Sequence, residues 1–256
     1  MHPMITAHYR KVLALLGFLS IWQILVMILK VKAYILPSPL TILTYLLVPE
    51  LAANYHWLRH IQTTLGEIVI SFSVTALVGV FVAIVMTWSN FMRQIITPII
   101  ALFNSLPKIA LAPLFLLWFG FGIIPNIMIA FLIAFFPVVI NTAAGLNAVE
   151  EDLLDLVRYL HASKWQVYMK IRLPNSLPYI FSGLKISTTL CVVGAIVGEF
   201  IASTQGLGYL IKSSQGLMDT PPMFASLMLI SLLGLCFFGF ISLLERWVMP
   251  WQAPRS

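Results

Sequence analysis

The feature that most constrains this chain is a run of 41 residues, 109–149, that contains no aspartate, glutamate, lysine or arginine. About 20 apolar residues cross a bilayer as a helix, so the run is long enough for two crossings. Charged residues make up only 9% of the chain, whereas a soluble domain carries about 25%. Backbone in lipid must satisfy its own hydrogen bonds, which a helix does within one segment. We therefore predict an all-α integral membrane protein.

The apolar runs, and the turn signals between them, predict about six membrane-spanning helices. The segment Gly-Phe-Gly-Ile-Ile-Pro-Asn at 120–126 has turn composition and divides the longest run. No soluble domain is indicated, so we expect one transmembrane domain over residues 1–256. The predicted spans lie near residues 12–29, 66–88, 98–119, 124–144, 180–201 and 223–244, with a loop at 145–178 between spans four and five.

The distribution of lysine and arginine predicts which side of the membrane each loop faces. Membrane proteins keep an excess of these residues in their cytoplasmic loops. If the N-terminus is inside, the outer loops carry only Lys30, Lys32, Arg59 and Lys212. The cytoplasmic segments carry Arg10, Lys11, Arg93, Arg158, Lys164, Lys170, Arg172, Lys185, Arg246 and Arg255. We therefore expect both termini and the 145–178 loop to lie in the cytoplasm.

The 145–178 loop is the most charged part of the chain, with eight of the 24 charged residues at positions 150–172. Leucine and valine recur at helical spacing over 153–160, and acidic residues occupy the first turn, which predicts a short amphipathic helix. Ser163 followed by Gln166 predicts a capping box, and hence the start of a second helix.

Two prolines follow the second predicted helix. Proline pushes the residue before it out of the α conformation, so Pro174 is predicted to stop this helix and Pro178 to stiffen the start of span five. A solvated helical connector between two spans would explain the same pattern. Two capped helices with exposed aromatic residues are more organised than a connector requires, and they favour a docking surface for a soluble partner.

Five segments of the chain carry distinctive motifs: LPSPLTIL at 36–43, SLPKIALAPLFLLWFGFG at 105–122, AFFPVVINTAAGL at 134–146, ASKWQVYMKIRLPNSLPYIFSGLKIS at 162–187 and VGEFIASTQGLGYLI at 197–211. In order and spacing they resemble the permease subunits of binding-protein-dependent ABC importers, of the nitrate, sulfonate and taurine type. The resemblance implies a type I ABC importer-like fold in a bacterial inner membrane. It also implies that the chain forms the translocation pathway for a small solute.

The resemblance further implies the partners of the chain. In that family the cytoplasmic loop forms coupling helices in a cleft of a separate ATPase subunit, which binds ATP and Mg²⁺. A second permease subunit, expected to be an identical copy, completes the pathway, an extracytoplasmic binding protein delivers the solute, and lipid surrounds the spans. Neither a cofactor in this chain nor a nucleic-acid partner is expected. The residues that the resemblance assigns to ATPase coupling are Asp155, Arg158, His161, Ala162, Ser163, Lys164, Trp165, Pro174 and Pro178.

The start of the loop departs from that family's pattern, which begins Glu-Ala-Ala and has a glycine four residues after the second alanine. The corresponding residues here are Asp155, Leu156, Val157 and His161. A glycine after a helix suits the left-handed C′ position. Histidine adopts this conformation at a cost of roughly 1 kcal/mol, so either His161 takes up the strain or the turn differs.

Four polar residues within the predicted spans are candidates for the translocation pathway: Asn104, Lys108, Asn141 and Glu199. Lys108 lies near the middle of span three, where a charge is costly and marks a functional candidate. It could instead reach the interface or pair with a carbonyl group freed by a proline. Glu199 could be a gate residue or lie at the outer interface, and interhelical hydrogen bonds would explain Asn104 and Asn141 equally well.

Small residues recur every four positions on span five, at Gly194, Gly198 and Ala202. This pattern lets two helices approach each other closely. Packing within the chain and contact with a second permease subunit are both consistent with it.

Other functions are weakly indicated. The five histidines have no ligand spacing, so no metal site is predicted. GLGYLIKSS at 206–214 is not a P-loop, because Ile211 stands where a glycine must precede the lysine, and we expect no ATP hydrolysis by this chain. One rival function is a stand-alone secondary transporter or channel, which predicts more intramembrane acids than this sequence contains. Another is a membrane enzyme or scaffold, which predicts a catalytic cluster near a membrane interface.

Overall fold

A computed structural model describes residues 3–252, and these residues form helices joined by turns, with no β-strand among them. The all-α prediction is confirmed. Residues 1–2 and 253–256, which include Arg255, lie outside the described residues. They are the ends of the two termini that we expect in the cytoplasm. In chain order the α-helices are α1 (Pro3–Ile28), α2 (Pro39–Leu47), α3 (Pro49–Tyr55), α4 (Trp57–Trp88), α5 (Asn90–Ser105), α6 (Ala112–Phe119), α7 (Ile123–Asn147), α8 (Glu151–Tyr159), α9 (Lys164–Val167), α10 (Leu173–Ala202), α11 (Leu207–Gly216) and α12 (Thr220–Val248).

Four of the described helices are long and apolar enough to cross a bilayer as they stand: α4, α7, α12 and a continuous helix over Lys164–Ala202 that contains α9 and α10. The helices α5 and α6 make a fifth crossing only if they are counted together, because the chain bends by 80° between them. The apolar part of α1, Leu13–Ile28, is shorter. The predicted count of six spans is therefore not confirmed.

The segment predicted as a span at 98–119 is not one straight helix. α5 ends at Ser105, Leu106 is extended with φ −70° and ψ 140°, and a 3₁₀ turn over Lys108–Leu111 leads into α6. Pro107 explains the break, because proline lacks an N–H group and disfavours the helical conformation in the residue before it. Lys108 consequently lies at a bend instead of within a straight membrane helix.

The prediction that a helix stops at Pro174 is wrong. Leu173 has helical backbone angles, φ −67° and ψ −48°, and α9 continues through a π-turn over Tyr168–Arg172 into α10. The Leu173 N–H donates to the Tyr168 carbonyl, five residues back. The wider turn moves the preceding carbonyl groups away from the proline ring, which removes the clash that normally ends a helix. Pro178 also lies inside α10.

The helix α7 lies at the centre of the fold and packs most extensively on α10 and α4. Small residues on α7 allow this, and both Ala130 and Ala134 are fully buried. On α4, Gly79 lies so close to α7 that an added Cβ would be 2.9 Å from Val138 Cγ1. These three helices form the frame that positions the loops at either end of the molecule.

The small residues Gly194, Gly198 and Ala202 of α10 pack within the chain. A Cβ added to Gly198 would lie 2.6 Å from the Cα of Asn126, and one added to Gly194 would overlap Ala130. Ala202 is fully buried, and its carbonyl accepts a hydrogen bond from the turn before α7 at 3.0 Å. All three residues therefore face α7 or the turn that precedes it.

The helices α2, α3 and α11 lie at the end of the molecule where α4 and α12 begin. At the end of α3, the Tyr55 hydroxyl donates to Asp219 Oδ2 at 2.6 Å. Burial, together with the carboxylate of Asp219, raises the pKa of Tyr55 above its ordinary value, so the hydroxyl keeps its proton. This hydrogen bond ties the segment before α4 to the residue before α12.

Candidate functional site

The first helix of the charged loop, α8, ends in a tight turn in which His161 is left-handed, with φ 53°. The His161 N–H donates to the Arg158 carbonyl at 2.9 Å, and the Ala162 N–H donates to the Val157 carbonyl at 3.0 Å. These two bonds form a Schellman motif, which satisfies carbonyl groups that a helix end leaves open. Of the two alternatives for this turn, His161 therefore takes up the strained conformation.

The second helix of the loop, α9, starts at Ser163 as the sequence predicts. The Gln166 N–H donates to the Ser163 hydroxyl at 3.3 Å, and the Ser163 N–H donates to Gln166 Oε1 at 2.8 Å. The predicted capping box is therefore confirmed. The turn between α8 and α9 is fixed on both sides, and Lys164 and Trp165 follow it with exposed side chains.

Large apolar side chains on the loop are exposed. Tyr159 is 83% exposed and Trp165 is 60% exposed. An exposed apolar patch of this kind marks an interaction site in a water-facing segment. We refer to this patch as the apolar loop surface, and it consists of Leu153, Leu156, Tyr159, Leu160 and Trp165.

Aromatic side chains join the loop to the end of α4. The ring centroid of Trp88, the last residue of α4, lies 5.0 Å from that of Tyr168 and 6.0 Å from that of Trp165. Tyr168 is buried, and its hydroxyl lies 2.9 Å from Thr87 Oγ1. The sequence does not reveal the contact with Trp88, although the spacing of Trp165 and Tyr168 places both on one helix face. A displacement of α9 therefore reaches α4 by direct contact.

A cavity of about 590 Å³ lies between the loop and the turn that joins α4 to α5. Four basic residues line it, and no acidic residue does so in the described part of the chain: the basic residues are Arg93, Arg158, Lys164 and Arg172. Arg158 also pairs with Asp155 at 2.7 Å, but both side chains are exposed, so the pair contributes little stability. The cavity suits carboxylate groups of a partner.

Asn104 and Lys108 lie together at the bend between α5 and α6. The Lys108 ammonium donates to the Asn104 carbonyl at 3.0 Å and to Asn104 Oδ1 at 2.9 Å. The same ammonium lies 4.7 Å from the ring centroid of Phe136 on α7, within cation–π range. A groove of about 350 Å³ extends from this point and is lined by Lys108 and apolar residues, including Phe103, Phe115, Trp118 and Phe136.

Asn141 and Glu199 lie apart from that pair. Asn141 Nδ2 donates to the Pro137 carbonyl of the same helix at 2.8 Å, and a Cβ added to Gly183 on α10 would lie 3.0 Å from Asn141 Cβ. Glu199 is fully buried in the protein, so it does not lie at an exposed interface. The four candidate pathway residues thus do not form one site, and only Asn104 and Lys108 are adjacent.

Glu199 belongs to a buried polar cluster that the sequence does not reveal. Thr64 Oγ1 donates to Glu199 Oε1 at 2.5 Å, and the Gly208 N–H donates to Glu199 Oε2 at 2.6 Å. Glu67, one helical turn after Thr64 on α4, is 1% exposed and accepts a hydrogen bond from Asn126 Nδ2 at 2.8 Å. The available signal is that Glu67 is an acid within a predicted span. Its partners lie on other helices, where local spacing cannot identify them.

The sequence matches a known family of membrane proteins. The family model for the binding-protein-dependent transport system inner membrane component matches residues 75–250. The formylaminopyrimidine transport permease protein of Halalkalibacterium halodurans is 32% identical over 237 residues, which are 93% of each chain. The putative aliphatic sulfonates transport permease protein of Bacillus subtilis is 31% identical over 234 residues, which are 91% of this chain and 84% of that protein.

An inward-facing structure of the MetNI methionine ABC transporter contains a chain with a similar fold. The TM-score is 0.57 at 17% sequence identity, and the match covers 71% of this chain and 94% of that chain. This likeness concerns the fold, and it confirms the type I ABC importer-like architecture that the sequence predicts.

Proposed function

The chain belongs to the family of binding-protein-dependent transport system inner membrane components, the permease subunits of ABC importers, and we propose that its cytoplasmic loop docks a separate ATPase. The observation that carries this proposal is the construction of the loop. Its two short helices are fixed by a Schellman motif and a capping box, and they present the apolar loop surface to water. A simple connector between two spans needs none of these features.

The loop faces the cytoplasm in this proposal, because that is where ATP is available. The excess of lysine and arginine on the loop side of the membrane supports the orientation. Both termini then also lie in the cytoplasm, and the chain crosses the bacterial inner membrane several times. The basic cavity beside the loop supports the same assignment, since its charge attracts acidic residues of a soluble partner.

The apolar loop surface inserts into a cleft of the ATPase subunit. Helix-in-groove binding uses apolar anchors on one helix face, and large aromatic residues carry most of the energy in such interfaces. Tyr159 and Trp165 are anchors of this kind, because both are large and more than half exposed. ATP and Mg²⁺ bind to the ATPase subunit, and this chain supplies the lever that the ATPase moves.

Movement of the loop passes into two membrane helices. The contacts of Trp88 with Tyr168 and Trp165 connect the loop to α4. The π-turn keeps α9 and α10 in one continuous helix, so the same movement enters α10. ATP binding favours one arrangement of the ATPase subunits, and this preference shifts the permease between inward-facing and outward-facing states.

A second copy of the chain completes the translocation pathway. Asn104 and Lys108 line it, because they are hydrogen-bonded to each other at the bend and Lys108 opens onto the 350 Å³ groove. An ammonium group beside apolar and aromatic side chains suits a small organic solute that carries an anionic or carbonyl oxygen. Aliphatic sulfonates and formylaminopyrimidine, for which two relatives are named, both carry such oxygens.

The binding protein delivers this solute at the opposite end of the molecule, where α2, α3 and α11 lie. Leu217 and Met218, which follow α11, are 80% and 81% exposed there and offer an apolar contact. The hydrogen bond between Tyr55 and Asp219 holds this region against the start of α4. A docked binding protein therefore meets a surface that is tied to two membrane helices.

Co-expression of this chain with an ATPase subunit and a binding protein from the same organism tests the proposal. We expect the ATPase to co-purify with the permease and its hydrolysis of ATP to rise when the loaded binding protein is added. The double variant Ala162→Arg, Trp165→Asp should abolish both, whereas the matched variant Trp251→Asp, which changes an exposed tryptophan outside the loop, should not. Unchanged co-purification and stimulation in the loop variant would show that the ATPase docks elsewhere.

A further inference from the structure

Two acidic side chains meet in the interior of the protein, beneath the segment that joins α10 to α11. Glu67 is 1% exposed and Glu199 is fully buried. Thr64, one helical turn before Glu67 on α4, donates to the Glu199 carboxyl group, which places the two acids next to each other. Neither forms a salt bridge with a basic side chain in the part of the chain that the structure describes. Two ionised carboxylates next to each other and away from water repel each other strongly, so one of them must carry a proton.

The hydrogen bonds around Glu199 identify it as the carboxylate. The Gly208 N–H, which can only donate, points at Oε2 at 2.6 Å. The Thr64 oxygen accepts the Leu207 N–H at 2.9 Å, so the single hydroxyl proton of Thr64 is available for Glu199 Oε1 at 2.5 Å. Both oxygens of Glu199 therefore already accept hydrogen bonds.

Glu67 is the acid of the pair that can carry the proton. Its Oε1 accepts from Asn126 Nδ2 at 2.8 Å. Its Oε2 is buried and has no hydrogen-bond donor beside it among residues 3–252. Buried polar atoms are nearly always paired, and a protonated Oε2 that donates to Glu199 satisfies this one. The same proton removes a negative charge from the interior.

We propose that Glu67 and Glu199 hold one proton between them, Glu67 as the acid and Glu199 as the carboxylate, and that this acid pair clamps residues 206–208 onto α4. The structure thus assigns different roles to two residues of the same chemical type.

The clamp acts on the backbone of three consecutive residues. The Gly206 N–H donates to His60 Nδ1 at 2.9 Å, the Leu207 N–H to Thr64, and the Gly208 N–H to Glu199. Gly206, with φ 107°, also lies so close to Glu199 that an added Cβ would overlap its carboxyl group. Each backbone N–H group of residues 206–208 therefore donates to a side chain of α4 or to Glu199.

Two amide substitutions test the assignment, because glutamine mimics a protonated acid. In Glu67→Gln the amide nitrogen can donate to Glu199 while its oxygen still accepts from Asn126, so we expect an unfolding temperature equal to that of the wild type. In Glu199→Gln the amide NH₂ group replaces one of the two accepting oxygens. It then faces another donor, either the Gly208 N–H or the Thr64 hydroxyl, and one hydrogen bond is lost. We expect this variant to unfold about 4 °C or more below the wild type.

Infrared spectroscopy gives a second readout, which compares the wild type with Glu67→Gln and a control variant. A protonated carboxyl group has a carbonyl band that a carboxylate lacks. We expect this band to be weaker in Glu67→Gln and unchanged in the control Glu245→Gln, whose carboxylate pairs with Lys185 at 2.8 Å. An unchanged band in Glu67→Gln, or a Glu67→Gln variant that is no more stable than Glu199→Gln, would overturn the proposal. Neither readout involves the ATPase, so failure of the proposed function would leave both results intact.

Discussion

The ring of Tyr168 lies 5.0 Å from the ring of Trp88, and this contact joins the cytoplasmic loop to the end of α4. Aromatic pairs contribute about 0.5–1.5 kcal/mol beyond the burial of their area. The hydroxyl of Tyr168 adds a hydrogen bond to Thr87 at 2.9 Å. The loop is thus attached to one membrane helix by side chains and to another, α10, by continuous backbone.

Trp88→Ala should weaken the transmission of movement from the loop to α4. The change removes the contacts with both Tyr168 and Trp165, and we expect ATP-driven uptake to fall about tenfold, in line with the loss of two aromatic pairs. Binding of the ATPase should persist, because the apolar loop surface is unchanged. Uptake and co-purification measured on the same preparation separate the two effects. Trp247→Ala, at an 81% exposed position on α12, is the control, and equal uptake in both variants would refute the transmission role of Trp88.

His161→Gly should raise the free energy of unfolding by about 1 kcal/mol, because glycine adopts the left-handed conformation without steric cost. The matched control is Leu160→Gly, one residue earlier, where φ is −78° and glycine only adds freedom to the unfolded chain. Denaturation in detergent measures both. A loss of stability in His161→Gly would mean that the imidazole side chain itself stabilises the turn.

Gly198→Ala should destabilise the protein by about 1–3 kcal/mol, the usual cost of overpacking. The added methyl group would lie 2.6 Å from the Cα of Asn126, so α10 and α7 would have to separate. The control is Gly239→Ala on α12, where no described atom outside the local backbone lies within 4 Å. That variant should be neutral or slightly stabilising, since alanine favours a helix over glycine. Similar unfolding temperatures for the two variants would contradict the close packing of α10 on α7.

Tyr55→Phe should lower the free energy of unfolding by about 1.5–3 kcal/mol, the range for a hydrogen bond to a charged group. Burial and the Asp219 carboxylate raise the pKa of Tyr55 above its ordinary value of about 10. The hydroxyl contribution is therefore fully present below about pH 10 and is lost as the pH rises through the higher pKa of the folded state. Unfolding measured at several pH values should give a constant difference between about pH 6 and about pH 9. Tyr34→Phe is the control. A stability difference between Tyr55→Phe and the wild type that shrinks between about pH 6 and about pH 9 would contradict the hydrogen bond from Tyr55 to Asp219.

The sequence predicts the features of this protein that depend on neighbouring residues. Ser163 and Gln166 form a capping box because both partners lie within one helical turn. His161 occupies the position where the related pattern has glycine, and the structure gives it the left-handed conformation that such a glycine would adopt. The low charged fraction of 9% and the length of the apolar runs predict the all-α membrane class, since each run is long enough to cross a bilayer as a helix.

The features that sequence reasoning misses depend on contacts between distant segments. Pro174 does not end its helix, because a π-turn opens the backbone before it, and no local rule for proline anticipates that turn. The role of Glu199 follows from Thr64 and Gly208, which lie on two other helices. Only the packing of α9 against α4 shows that Trp88 contacts the loop.

The most direct test of the account is ATP-driven uptake of solute into proteoliposomes that contain this chain, its ATPase and the loaded binding protein. We predict uptake only when ATP and both partners are present, and its loss in Trp165→Asp but not in the control Trp251→Asp. Uptake by the purified chain without ATP, or undiminished uptake in Trp165→Asp, would contradict a permease that the ATPase drives through this loop.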